Sequence, residues 1–173
     1  LVERTYEQWK PDPEVGVFLQ PVGIAFDSLG RLLVADSAAG TIFAFDENGE
    51  SLGELGALHL YRPCGLAVDH SNHRIFVADS GVHQVVVLAI DGELIERLGQ
   101  RGIEPGMFNY PTSVAVNDAG QLFVSDSLNF RIQVFDRDLQ PVRQIGEKGD
   151  LPGYFSLPKG LAVDSDNHLY VID

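Results

Sequence analysis

A near-constant repeat constrains this chain more than any other feature. Four aspartates, Asp36, Asp79, Asp126 and Asp173, each close a short apolar run, and they stand 43, 47 and 47 residues apart. The runs read Val34-Ala35-Asp36-Ser37, Val77-Ala78-Asp79-Ser80, Val124-Ser125-Asp126-Ser127 and Val171-Ile172-Asp173. A second element precedes each of them: Pro21-Val22-Gly23-Ile24-Ala25-Phe26-Asp27, Pro63-Cys64-Gly65-Leu66-Ala67-Val68-Asp69 and Pro158-Lys159-Gly160-Leu161-Ala162-Val163-Asp164. Pro111 to Asn117 is the remaining copy, with Ser113 in place of glycine and Asn117 in place of aspartate. Units that recur at such a period bury their apolar faces against one another, because one unit alone cannot close a core.

Within the most complete unit, Pro111 to Gly146, four apolar runs alternate with turn residues. They are carried by Val114 and Val116, by Leu122 and Val124, by Ile132, Val134 and Phe135, and by Val142 and Ile145. A period near two, rich in β-branched and aromatic residues between Asn, Asp and Gly breakers, predicts four antiparallel strands. Four strands per unit and a period in the forties predict radial repetition, an all-β propeller over residues 20–173. The spacers repeat as well. Gly99, Gly102, Gly106, Phe108 and Pro111 share their offsets with Gly146, Gly149, Gly153, Phe155 and Pro158, and the phenylalanines are expected to pack between adjacent blades. The first spacer, Gly56 to Pro63, is five residues shorter and lacks the Gly-x-Phe element. Residues 1–19 form a lead-in arm in which Pro11 and Pro13 disfavour regular structure, with a short strand expected over Val15 to Leu19.

These motifs, taken together, resemble the NHL repeat. The marks are Pro-x-Gly-h-Ala-h-Asp, h-Val-Ala-Asp-Ser, Asn-x-Arg-Ile-x-Val-Phe and a glycine-rich spacer ending Phe-x-x-Pro. Asn129, Arg131, Ile132, Val134 and Phe135 carry the third element in full; blade 2 has His83, Gln84 and Val85 there, and blade 1 has Gly40, Thr41 and Ile42. The resemblance implies a six-bladed propeller of the bacterial extracytoplasmic kind, with function on one rim. It also implies a periplasmic or extracellular location and an association with multihaem cytochromes.

Six blades of about 47 residues need on the order of 280 residues. The 173 present supply three blades and half of a fourth. Leu161, Val163, Leu169 and Val171 are therefore expected to face neighbouring blades, one of them missing. Exposed apolar side chains at roughly 1.5–3 kcal/mol each rival a domain's net stability of about 5–15 kcal/mol. Two expectations follow: a longer native chain, or two copies that close one ring between them.

Composition narrows the partners. The formal charge is -13, from 25 acidic and 12 basic residues, with no basic run. That balance disfavours nucleic acid and anionic lipid, which need clustered Lys and Arg. No apolar run approaches the roughly 18 residues of a membrane span. Cys64 is the only cysteine, so an intrachain disulfide is excluded.

The recurring Asp-Ser pairs (Asp36/Ser37, Asp79/Ser80, Asp126/Ser127) lack a histidine at a matching offset, so they do not form a nucleophile–base set. They are expected to hydrogen-bond the N–H groups of the following turn. His73 and His168 hold equivalent turn positions, four residues after Asp69 and Asp164, without ligand spacing for zinc. Asp164-Ser165-Asp166-Asn167 and Asp69-His70-Ser71-Asn72 resemble calcium-loop fragments but fall where hairpin turns are required. In the propeller lyase that cleaves hydroxyglycine-extended peptides, zinc-binding histidines directly follow the repeat proline. Here those positions are Val22, Cys64, Thr112 and Lys159, and none is histidine.

The same four residues occupy the variable place in the repeat, near one mouth of the expected channel, and are the candidate binding surface. No catalytic residue, metal ligand or cofactor is expected. The function expected is a non-enzymatic scaffold for a protein or peptide partner. The alternative is a propeller enzyme, a gluconolactonase-like hydrolase or a lyase, with a channel metal completed by further blades.

Overall fold

The computed structural model describes residues 18–173; most of the expected arm, and Val15 to Val17 of the expected first strand, lie outside the described residues. Phe18 and Leu19 are not in a strand. Blade 1 comprises β1 (Pro21–Phe26), β2 (Leu32–Asp36), β3 (Thr41–Phe45) and β4 (Ser51–Leu55). Blade 2 comprises β5 (Pro63–Asp69), β6 (Arg74–Asp79), β7 (Gln84–Ala89) and β8 (Leu94–Leu98). Blade 3 comprises β9 (Pro111–Val116), β10 (Leu122–Asp126), β11 (Arg131–Phe135) and β12 (Pro141–Ile145). A two-stranded sheet, β13 (Leu161–Val163) and β14 (Leu169–Val171), begins a fourth blade. Each full blade is an antiparallel meander with its strands in chain order. The expected all-β propeller architecture is therefore present as an arc of three blades and a half.

The first strand of each blade lies innermost, β1 packing on β5, β5 on β9 and β9 on β13. The fourth strands β4, β8 and β12 form the outer edges and are largely exposed. Middle strands are covered on both faces, β7 by blades 1 and 3 and β3 by blade 2 and by Phe18, which is why β3 and β7 read Thr-Ile-Phe-Ala-Phe and Gln-Val-Val-Val-Leu-Ala without polar alternation. Successive side chains then serve different junctions. Ile75 and Val77 of β6 join Leu33, Ala35 and Ile42 of blade 1. Phe76 and Ala78 of the same strand join Leu122, Val124 and Phe135 of blade 3. A bulge between strands three and four recurs at the same place in every blade, at Ala44/Phe45, Val87/Leu88 and Val134/Phe135, and bends each outer strand alike.

Phe108 is fully buried between blades 2 and 3, its ring 5.8 Å from that of Phe135, and Phe155 packs at the next junction. The shorter first spacer fills the same place with Leu60, three residues before its proline as Phe108 is before Pro111. Phe18, three residues before Pro21, lies on Phe43 and Phe45 at the open face of blade 1, 5.4 and 5.8 Å between rings. At the turn between the first two strands of blades 1 and 2 an arginine reaches the next blade: Arg31, between β1 and β2, pairs with Asp27 at 2.6 Å and donates to the Ile90 carbonyl of blade 2. Arg74 pairs with Asp69 and reaches the Arg137 carbonyl of blade 3 in the same way.

One expectation about the fourth blade needs correction. Leu161, Val163, Leu169 and Val171 all pack on blade 3, and none of them turns to the open side. Strand alternation gives that side to Ala162, Tyr170 and Ile172, of which Tyr170 and Ile172 are 57% and 71% exposed.

Candidate functional site

The repeat glycine explains how the inner strands meet. A Cβ on Gly23 would stand 2.7 Å from the Cys64 carbonyl oxygen, and one on Gly65 would stand 2.8 Å from the Cα of Ser113. Blades converge toward the axis, so only glycine lets one inner strand lie this close to the next. Ser113 takes the glycine position in blade 3, and its hydroxyl accepts the Leu161 N–H at 3.2 Å. Sequence reasoning noted this substitution without giving the residue a role; a hydroxyl in place of glycine was the available signal.

The residue before each of these positions turns into a shared concavity. Val22, Cys64, Thr112 and Lys159 all line one open cavity of about 330 Å³, together with the adjoining Gly65 and Ser113. The structure thus brings all four candidate binding residues to one place. Two of the side chains, Cys64 and Thr112, are steadied by the serines that follow the repeat aspartates. Ser80 Oγ is 3.1 Å from Cys64 Sγ, and Ser127 Oγ is 2.6 Å from Thr112 Oγ1. Ser127 donates its one proton to the Pro158 carbonyl, so Thr112 is the donor in the Thr112–Ser127 bond. The 3.3 Å contact from Thr112 to the Lys159 carbonyl is the weaker branch of that donor.

Asp36 bonds the following turn as expected, at the N–H groups of Ala38 and Ala39, and the repeat aspartates share a second duty. Asp36 also takes the N–H groups of Leu19 and Gln20. Asp79 reaches back to Tyr61 and Arg62, and Asp126 to Asn109. Asp173 takes the N–H groups of Ser156 and Leu157. Each carboxylate therefore pins the chain just ahead of its blade's proline, which local turn chemistry could not reveal. Burial pushes the Asp36 carboxyl up, but the N–H groups of Ala39, Gln20, Leu19 and Ala38 together hold it below the ordinary value. At Asp69 burial again acts upward and is outweighed by Arg74 and Asn72. Carboxylates held ionised in this way are poor general acids near neutral pH.

The histidines are dispersed. His73 Nδ1 lies 3.1 Å from Ser28 Oγ, His83 Nδ1 accepts the Tyr110 N–H, and His168 Nδ1 lies 3.1 Å from Asp164. Among the described residues, no three His, Cys, Asp or Glu side chains are grouped so as to hold a metal ion. The two calcium-like stretches are hairpin turns: Asp69 accepts from Ser71 and Asn72, and Asp164 from Asp166 and His168. No helix among the described residues is long and apolar enough to cross a membrane.

Comparison with known proteins agrees with this geometry. The NHL repeat matches at residues 18–45, 60–88 and 108–135, one match per complete blade. No curated protein matches the chain. Among solved structures, one of a nidogen/laminin complex superposes with a TM-score of 0.72 at 24% identity, over 88% of this chain and 56% of the other. Kuenenia stuttgartiensis hydrazine synthase gives 0.68 at 17% identity, over 96% and 43%. Virginiamycin B lyase from Staphylococcus aureus gives 0.66 at 16% identity, over 91% and 50%. At these identities the likeness concerns the fold, and the chain spans about half the length of the proteins it matches. Three matched repeats, each coinciding with a four-stranded sheet whose aspartate pins its own approach segment, place this chain in the NHL-repeat β-propeller family.

Proposed function

We propose that this chain is a non-enzymatic interaction scaffold of a bacterial periplasm or cell exterior. Val22, Cys64, Thr112 and Lys159 form the surface that receives a protein or peptide partner. One observation carries the proposal. The residues that differ from blade to blade meet in one concavity, while the recurring polar residues are committed to internal hydrogen bonds. A rigid ring of unlike side chains suits recognition, and the function of a propeller lies in such sites and not in its fold. The similar structures include one solved as a complex of nidogen with laminin, in line with a protein partner, and lyases. Extracellular multihaem cytochromes are one class of partner within the proposal.

A photo-crosslinking residue at Thr112, compared with one on the exposed turn at Asn48, tests this in native cell envelopes. The expected outcome is a defined protein joined at position 112 only, and lost with Val22→Arg in the same chain. Equal labelling from both positions would overturn the proposal. Stoichiometric metal with turnover of a lactone or peptide would favour a propeller hydrolase or lyase instead, and a crosslinked set without cytochromes would remove that partner class.

A further inference from the structure

The binding cavity has an electrostatic character opposite to that of the chain as a whole. The chain carries a net charge of -13, yet none of the cavity-lining residues is acidic. Lys159 is the only lining residue charged at neutral pH. Its side chain is exposed, and among the described residues it takes part in no ion pair; the ion-paired cations are Arg31, Arg74, Arg131 and, when protonated, His168. Lys148 and Arg62, by comparison, lie over the aromatic rings of Phe130 and Tyr110. The backbone at Lys159 is held on both sides, its N–H by the Ile172 carbonyl and its carbonyl by Thr112. Its stem therefore leaves from a fixed point two residues ahead of β13. A free ammonium on such a base is oriented for an incoming anion in a way that a lysine on a mobile loop is not.

We infer that the partner presents a carboxylate to Lys159, with apolar atoms farther along the same segment lying on Val22 and Ile24 at the blade 1 end of the cavity. The inference rests on the proposed binding role of this cavity and specifies its chemistry. Two features support a carboxylate on an extended peptide over a larger polyanion. The single cation matches one negative charge, and no second lysine or arginine lines the cavity to bind a phosphate chain. Val22 and Ile24, 46% and 71% exposed, provide apolar surface at the blade 1 end of the same cavity, where the neighbouring side chains of an extended peptide can lie. The chain's net charge of -13 disfavours a multiply charged anion, while the single cation in the cavity wall admits one carboxylate.

Cys64 gives the test its own reporter, because it is the only thiol in the chain and lines the same cavity. Three probes are compared at millimolar concentration: acetyl-Gly-Asp-Gly-amide, its Asn counterpart, and acetyl-Gly-Gly with a free C-terminus. The readouts are the rate of Cys64 labelling by a neutral maleimide and the amide resonances of Gly65 and Gly160. The acidic peptide is expected to slow labelling and shift both resonances, and the Asn peptide to do neither. The third probe separates a side-chain carboxylate from a C-terminal one. Lys159→Gln, at an exposed site where folding is checked by circular dichroism, should weaken the Asp peptide roughly two- to fivefold, the range of an exposed ion pair, and erase the preference over Asn. Equal binding of the Asp and Asn peptides, no binding by either carboxylate probe, or a preference that survives Lys159→Gln would each overturn the inference. The two readings fail separately: if crosslinking at Thr112 persists with Lys159→Gln but is lost with Val22→Arg, the cavity binds its partner without a carboxylate and this inference alone falls, whereas equal labelling from positions 112 and 48 overturns the wider proposal.

Discussion

The junction between blades 1 and 2 and the junction between blades 2 and 3 join equivalent surfaces with different lengths of chain. The first spacer closes on itself, with the N–H groups of His59 and Leu60 donating to the Gly56 carbonyl and Arg97 holding His59 from the outer strand. The second is five residues longer; it too makes backbone bonds within itself, from Gly102 to Phe108, Met107 to Glu104 and Phe108 to Gln100, but other backbone groups in it are held by side chains of blade 3. Arg131 donates to the carbonyls of Glu104 and Met107, Gln133 bonds Met107 and Gly106, and Asn129 bonds Gly102. Blade 2 has Val82, Gln84 and Val86 at those places, where the short spacer offers no such groups. The Asn-x-Arg-x-Gln set is thus a fastener for a long spacer. Its absence from blade 2 follows from the short spacer ahead of that blade.

If that contrast is right, the equivalent aspartates should differ in weight. Asp126 is fully buried and pairs with Arg131 at 2.7 Å, so Asp126→Ala leaves a guanidinium buried without its partner and should cost about 3–5 kcal/mol. Among the described residues, the Asp79 carboxylate accepts from the N–H groups of Tyr61 and Arg62 and pairs with no cation, and Asp79→Ala should cost about 1–3 kcal/mol. Urea denaturation of the two variants decides it; equal losses would mean that the Arg131 network adds nothing.

The plugs of the two junctions offer the next comparison. Phe108→Ala should destabilise by about 3–5 kcal/mol and Leu60→Ala by the lower part of about 2–5 kcal/mol, because Phe108 is the larger and more completely buried of the two. Thermal melts would show the ordering, and a larger loss for Leu60 would reverse the account of what fills each gap.

Close to the axis the expected effect is smaller. Gly65→Ala would set a methyl against the Ser113 backbone and should cost about 1–3 kcal/mol. Ser113→Ala removes only the bond from Leu161 and should cost about 0.5–1.5 kcal/mol. Matched urea curves that put Ser113→Ala above Gly65→Ala would break the reading of the inner contact.

The smallest effect is one of pH. The Asp164 carboxyl is lowered to about 2, first by the His168 N–H, which works against the upward push of desolvation, and then by Tyr170, the His168 ring and the Asp166 N–H. The folded value lies below the unfolded one, so the stabilisation is present above about pH 4 and disappears as pH falls through about 2. Carboxyl carbon NMR should find the Asp164 midpoint near 2. A midpoint at the ordinary aspartate value would show that the turn does not hold the charge.

The strands, their grouping into blades and the convergence of Val22, Cys64, Thr112 and Lys159 were all legible in the sequence. Radial repetition sends equivalent positions to equivalent places around one axis, so spacing alone is enough to predict them. The fastening was not legible. That Asp79 reaches back to Tyr61, that Leu60 replaces a phenylalanine, and that Tyr170 and Ile172, not Leu161 and Val163, face the open side depend on which blade surface meets which. The charge of the cavity belongs to the same category. An acidic composition describes the whole surface, and only the packing of four inner strands reveals that Lys159 lines a cavity with no acidic neighbour in its wall. Local pattern determines which element forms, because side-chain alternation and turn chemistry act within a few residues. Long-range hydrogen bonds and inter-blade contacts are decided only when the chain closes, because their partners lie tens of residues apart.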